Sequence, residues 1–284
     1  MTPPAEAPDR HAMRCMEIWG GSHAAESAVT TPGLDTWVYS RPHQGAAEGG
    51  DVHYVSLCGG GVITRLVVAD ISGHGAAVAA FAGMLRGLLR RHINAESQVR
   101  LVRALNREFA ALAELRRFAT AVVATYLASH DRLTVCNAGH PRPLYYRAAS
   151  REWMLLTGGV GAPDAGGTNL PLGVDDESPY EQFAIPLGRG DLVVIYTDAL
   201  TEASDPAGQM LGEPGLLAVA RALDPSDPLR VGPALLDGVA RHRAGRPADD
   251  DVTVLVLHHN AGPTPRLSVG QELDVYEGLR AEAV

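Results

Sequence analysis

The sequence predicts an α+β fold, a four-layer α/β/β/α sandwich of two central antiparallel sheets flanked by helices. Three observations carry this expectation. First, apolar runs rich in Val, Ile, Leu, Tyr and Thr stand at 52–57, 62–70, 119–128, 132–137, 143–147, 191–197 and 252–258, most of them separated only by turn residues. Direct turn connections imply antiparallel pairing, because parallel strands need long crossovers. Second, two stretches carry helical period instead: Val78, Phe81, Leu85, Leu88, Leu89 and Ile93, then Val99, Val102, Leu105, Phe109 and Leu112, recur at spacings of three and four. Third, each of these helices has a single apolar stripe, which places helices outside and packs sheet on sheet at the centre.

Along the chain, residues 1–34 read as an N-terminal tail and lead-in, 35–260 as one domain, and 261–284 as a C-terminal tail where Pro, Gly and charge replace any sustained apolar pattern. Further helices are expected at 214–222 and 228–243, and the helix nearest the first strands is expected to begin near His74. The glycine-rich stretch 158–168 and the segment 203–213 read as loops.

A length of 284 residues with 46% hydrophobic content is enough to bury a substantial core. Lys plus Arg total 24 against 33 for Asp plus Glu, a formal charge of −9, which argues against a polyanion-binding surface and so against a nucleic-acid partner. No stretch approaches the roughly 18 uninterrupted apolar residues of a membrane span, and the first dozen residues lack the apolar core of a signal peptide. Cys15, Cys58 and Cys136 form neither a C-x-x-C pair nor an even set, so the expected setting is a reducing cytoplasm without disulfides.

The most informative feature is the position of certain aspartates at the ends of apolar strands. Asp51 opens the run 52–57, Asp70 closes Leu66–Ala69, Asp198 closes Leu192–Thr197, and Asp249, Asp250 and Asp251 precede Val252–Leu257. A half-buried carboxylate is costly unless a cation or donors meet it, and none of these has a Lys or Arg close by in sequence. A divalent metal is the economical partner, and oxygen ligands without His or Cys favour Mg²⁺ or Mn²⁺ over zinc. After Asp70, the segment Ile71-Ser72-Gly73-His74-Gly75 leads straight into a helix, whose first N–H groups suit an anion. Taken singly, an aspartate at such a place is more often a turn or cap residue; four together point to a metal-assisted phosphate-ester hydrolase.

These residues carry a family resemblance. D-I-S-G-H-G at Asp70–Gly75, F-A-T-A at Phe118–Ala121, N-A-G-H-P at Asn137–Pro141, P-L-G at Pro171–Gly173, G-D-L-V-V-I-Y-T-D at Gly190–Asp198 and D-D-D-V-T at Asp249–Thr253 occur in order. Together they resemble the SpoIIE-like bacterial branch of the metal-dependent protein phosphatases, the protein phosphatase 2C type. The resemblance implies that 35–260 is a phosphatase domain acting on phosphoserine and phosphothreonine with two divalent cations, Mn²⁺ or Mg²⁺. It implies that Asp70 bridges both, that Asp51 and the backbone carbonyl of Ile71 serve one, and that Asp198 and Asp250 serve the other. Asp70 and Asp198 are then the catalytic pair, a metal-activated water attacks phosphorus, and no protein nucleophile is needed. It further implies substrates such as phosphorylated anti-sigma-factor antagonists of the STAS type, in partner-switching or stress signalling.

Two departures and two alternatives accompany this reading. Ala199 follows Asp198 where the family usually has glycine; if that position needs φ > 0 or a tight backbone approach, alanine costs about 1 kcal/mol. Ser72 stands where eukaryotic relatives carry a histidine, so the general acid is left unassigned. The first alternative is a cysteine-dependent phosphatase, since Cys136 to Arg142 is formally C-x₅-R, although Pro141 removes one N–H from such a loop. The second is a pseudophosphatase, a binding module that keeps the fold without turnover.

Overall fold

A computed structural model describes residues 15–73, 76–95, 97–112, 117–158 and 169–264. In chain order the elements are β1 (Met16–Gly21), β2 (Ala25–Thr31), β3 (Leu34–Arg41), β4 (Val52–Cys58), β5 (Ile63–Ile71), α1 (Ala76–His92), α2 (Gln98–Leu112), β6 (Ala119–Leu127), β7 (Arg132–Ala138), β8 (Leu144–Arg147), β9 (Glu152–Leu155), β10 (Phe183–Pro186), β11 (Leu192–Tyr196), α3 (Gly212–Arg221), α4 (Pro228–His242) and β12 (Val252–His259).

The strands form two six-stranded sheets, ordered β1-β4-β5-β6-β7-β10 and β2-β3-β12-β11-β8-β9, and every pairing between these strands is antiparallel. Side-chain alternation builds the layers. In β5, Val67, Ala69 and Ile71 face one core together with Val78, Leu85 and Leu89 of α1 and Leu105 and Phe109 of α2. Leu66 and Val68 face the opposite way, meeting Val193 and Ile195 of β11 and Leu255 and Leu257 of β12 between the sheets. Val194, Tyr196, Val254 and Val256 face outward again onto Leu216 of α3 and Leu235 and Val239 of α4. The α/β/β/α sandwich predicted from periodicity is therefore the observed architecture. Burying one such Leu or Val side chain contributes roughly 1.5–3 kcal/mol.

The stripe predicted for α1 is buried at Val78, Phe81, Leu85, Leu88, Leu89 and Ile93. Arg90, Arg91 and His92 occupy the last turn of α1, where positive charge suits the helix dipole. The start of β1 holds this helix in place, because Glu17 accepts hydrogen bonds from Arg86, at 2.6 Å, and from Arg90.

Several expectations need correction. The lead-in holds two edge strands, β1 and β2, and β3, β9 and β10 add three more that periodicity did not single out. β2 is mostly exposed, so no alternation of apolar and polar residues marked it. Cys15 and Cys58 form a disulfide, against the expectation of unpaired cysteines. The reason is the pairing of β1 with β4, which sets Met16 against Leu57 and so brings the two flanking residues together. The expected start of α1 at His74 and nearly all of the loop 158–168 lie outside the described residues, as do 1–14 and 265–284. Among the described residues no helix is long and apolar enough to cross a membrane.

Candidate metal centre

Strand direction brings the predicted aspartates to one end of the sandwich. β4 and β5 are antiparallel with Val52 opposite Ala69, so the start of β4, at Asp51, adjoins the end of β5, at Asp70. β11 and β12 are antiparallel with Tyr196 opposite Val254, so Asp198, after β11, adjoins Asp250 and Asp251, before β12. One hydrogen bond ties the two sheet ends: Thr197 Oγ1 donates to Asp51 Oδ2 at 2.9 Å. Thr197 is itself fixed, because its backbone N–H donates to the Thr253 carbonyl at 3.0 Å and its Oγ1 accepts from the Thr253 N–H at 3.0 Å.

The electrostatics of the group are those of crowded carboxylates. Burial, followed by the charge of Asp70, pushes Asp51 well above the usual carboxylate range, although hydrogen bonds from Thr253 and Thr197 oppose the shift. Asp70 is pushed up to about 7 by burial and by the charges of Asp198, Asp250, Asp251 and Glu202. Asp198 is pushed up to about 6 by burial and by Glu202 and Asp250. Each group resists ionisation first because it is buried and then because its neighbours carry the same sign, and a cation placed among them offsets that penalty.

The donor chemistry fits hard divalent cations: the grouped side chains offer carboxylate oxygen only, with no His or Cys. Among the described residues, no group of three or more His, Cys, Asp or Glu side chains is arranged so that it could hold a metal ion as it stands. The aspartates feel one another as charges without forming a finished ligand cage. The Ile71 carbonyl belongs to the same neighbourhood, since a Cβ added at Gly50 would lie 3.3 Å from Ile71 O. Glycine at 50 leaves that carbonyl uncovered beside Asp51.

Asp251 has a different task from its neighbour. Its Oδ1 accepts the His43 N–H at 2.6 Å and its Oδ2 the Gly50 N–H at 2.5 Å, so both oxygens hold the loop that delivers Asp51. Asp250 is exposed, and its Oδ1 accepts the Asp251 N–H at 2.8 Å. Thr197 and Asp251 were not singled out from sequence for these roles; the only signal was their place inside the motifs around Asp198 and Thr253.

Residues 61–260 match the family model described as stage II sporulation protein E (SpoIIE), which is more than half of the chain. The chain belongs to the SpoIIE family. Among curated proteins it is 26% identical over 148 residues to phosphoserine phosphatase RsbU of Bacillus subtilis strain 168, covering 51% of this chain and 41% of that protein. The chain thus spans about two fifths of that relative's length. Among solved structures, the RsbU and RsbW domains of Rv1364c from Mycobacterium tuberculosis share 26% identity at a TM-score of 0.68, over 92% of this chain and 71% of that one. The PP2C phosphatase domain of SpoIIE from Bacillus subtilis shares the fold at a TM-score of 0.64 with 17% identity, over 82% of this chain and 70% of that one.

Within this SpoIIE-family chain, Ala199, Cys136, Arg142 and His140 each have a defined place. Ala199 does not adopt positive φ, so its backbone conformation imposes no glycine requirement. Cys136 lies buried in β7, and burial pushes its thiol up to about 12, the reverse of the low-pKa thiolate a cysteine phosphatase needs. Arg142 is engaged by Glu213, which accepts its backbone N–H at 2.9 Å and its Nε at 2.8 Å. His140 staples a turn: its N–H donates to Asn137 Oδ1 at 2.8 Å, its carbonyl accepts Asn137 Nδ2 at 2.9 Å, and its Nδ1 lies 2.8 Å from Thr120 Oγ1.

Proposed function

We propose that this chain is a protein-serine/threonine phosphatase that hydrolyses phosphoserine and phosphothreonine at a two-cation site made by Asp51, Asp70, the Ile71 carbonyl, Asp198 and Asp250. The observation that carries the reading is the convergence of carboxylates from both sheets at one end of the sandwich, with Asp70 held above its ordinary range by burial and then by Asp198, Asp250, Asp251 and Glu202, and Asp198 by burial and then by Glu202 and Asp250. Such a group is a liability in an empty protein and a ligand set in a loaded one.

When bound, Mn²⁺ or Mg²⁺ supplies Lewis-acid stabilisation of the phosphoryl oxygens and activation of water. The chain's own residues supply position. Asp70, next to last in β5, would be one of the residues holding the cations. Asp51 is oriented by Thr197, and Asp198 begins a helical turn whose Asp198 carbonyl accepts the Glu202 N–H at 2.8 Å. The buried Cys136 takes no part.

We extend the reading to partner-switching signalling, with a phosphorylated protein of the STAS anti-sigma-factor antagonist type as substrate. The support is the kinship with a protein named phosphoserine phosphatase RsbU and with a chain that joins RsbU and RsbW domains. The test is turnover of matched phosphoserine, phosphothreonine and phosphotyrosine peptides at saturating Mn²⁺. Release of phosphate from the first two, with slower release from the third, is expected; equal or faster phosphotyrosine turnover contradicts the specificity, and phosphopeptide binding without release supports the pseudophosphatase instead.

A further inference from the structure

The expected ligand at Ile71 is a backbone carbonyl, and a carbonyl points only where its peptide plane is held. That plane also contains the Ser72 N–H, directed oppositely because the peptide is planar and trans. Ser72 N–H donates to the Phe118 carbonyl at 3.0 Å, so Ile71 O is turned away from β6 and towards Gly50 and Asp51. The following plane is held as well: the Ser72 carbonyl accepts Arg117 Nη1 at 2.8 Å, and Ser72 Oγ accepts the Phe118 N–H at 3.1 Å.

Arg117 stands immediately before β6 and does two things at once. Its guanidinium grips Ser72 O, and its Cζ lies 5.4 Å from the centroid of the Phe81 ring on α1. Gly73 completes the fit, with φ of +106 and an added Cβ that would come 2.6 Å from Arg117 Nη1; only glycine admits both the backbone conformation and the guanidinium. Among the described residues Arg117 makes no ion pair with a carboxylate, and its Nη1 serves the loop.

We infer that Arg117 is a positioning residue for the metal centre, fixing the Ile71 carbonyl by clamping Ser72 against Phe81 of α1. This inference rests on the proposed cation site. Outer-shell partners of metal ligands change metal affinity by about 10–100-fold when removed, and Arg117 stands in that relation to Ile71. Lysine cannot form the same planar fork or stack as well, but its ammonium can still reach a carbonyl.

The test is Mn²⁺ titration of the full chain by calorimetry, with metal-free melting measured alongside. Arg117→Ala is expected to weaken Mn²⁺ binding by about tenfold or more, with the metal-free melting curve kept and Arg117→Lys recovering part of the affinity. Turnover of p-nitrophenyl phosphate at saturating Mn²⁺ should fall far less than affinity does. Phe81→Leu, which removes the stacked ring and leaves the guanidinium, should weaken binding in the same direction and serves if Arg117→Ala does not fold. Unchanged Mn²⁺ affinity in a folded Arg117→Ala, or in Phe81→Leu, overturns the inference while leaving the phosphatase reading intact. A wild-type chain that binds no Mn²⁺ overturns the reading itself and this inference with it.

Discussion

Thr197 and Asp51 stand 146 residues apart in sequence and join the two sheets by a 2.9 Å hydrogen bond at the acidic end of the sandwich. Because Asp51 is only 3% exposed, water cannot replace this donor. Thr197→Val keeps the shape but removes the hydroxyl, leaving both the Asp51 carboxylate and the Thr253 N–H without it. Urea unfolding should show a loss of about 1–3 kcal/mol, with Thr197→Ser restoring most of it.

Asp70→Asn should separate stability from catalysis. The amide keeps the carboxylate's shape while removing one of the repelling charges around Asp198, so the metal-free variant is expected to be at least as stable as metal-free wild type. Its turnover with Mn²⁺ should fall to the uncatalysed background. A clearly less stable metal-free variant would show that Asp70 holds the fold through contacts other than charge.

The Cys15–Cys58 disulfide closes a loop with a sequence separation of 43, and a loop of that size raises stability by on the order of 4 kcal/mol in the chain-entropy account. Dithiothreitol should therefore lower the midpoint of denaturation in wild type. Cys15→Ser should start from the lower value and be insensitive to reductant, whereas Cys136→Ser should respond to reductant as wild type does.

His140 makes stability fall on the acid side. It is 2% exposed, and burial pushes its pKa down from 6.5 to about 4, against a smaller opposing effect of the Tyr196 backbone. Between those values the unfolded chain binds the proton and the folded chain does not, so stability present above pH 6.5 is lost as pH falls towards 4. The loss is on the order of 3 kcal/mol. Denaturant midpoints measured across this window should slope upward with pH in wild type and slope less in His140→Gln.

The fold was legible where burial imposes a period. β5, β6, β11 and β12 lie in the interior of their sheets and read as runs dominated by apolar residues, and the stripes of α1 and α2 repeat at three and four. β2, mostly exposed, and the four-residue β9 and β10 carried no such mark, because edge strands are specified by their neighbours rather than by their own residues. In the same way the clustered aspartates announced themselves as charges set against apolar strands. Asp251, Thr197 and Arg117 did not, since their roles depend on His43, Asp51 and Ser72, partners far away in sequence. The disulfide escaped notice because Cys15 borders a strand that was itself unread.

The most direct test of the whole account is phosphate release from p-nitrophenyl phosphate by wild type, Asp70→Asn, Asp198→Asn and Cys136→Ser, each in EDTA and then in excess Mn²⁺ or Mg²⁺. The account predicts no turnover in EDTA, recovery on adding either cation for wild type and Cys136→Ser, and none for the two aspartate variants, whose circular dichroism stays that of a folded domain. Near-wild-type turnover in EDTA or by Asp70→Asn, or its loss in Cys136→Ser alone, would contradict a two-cation mechanism at this site.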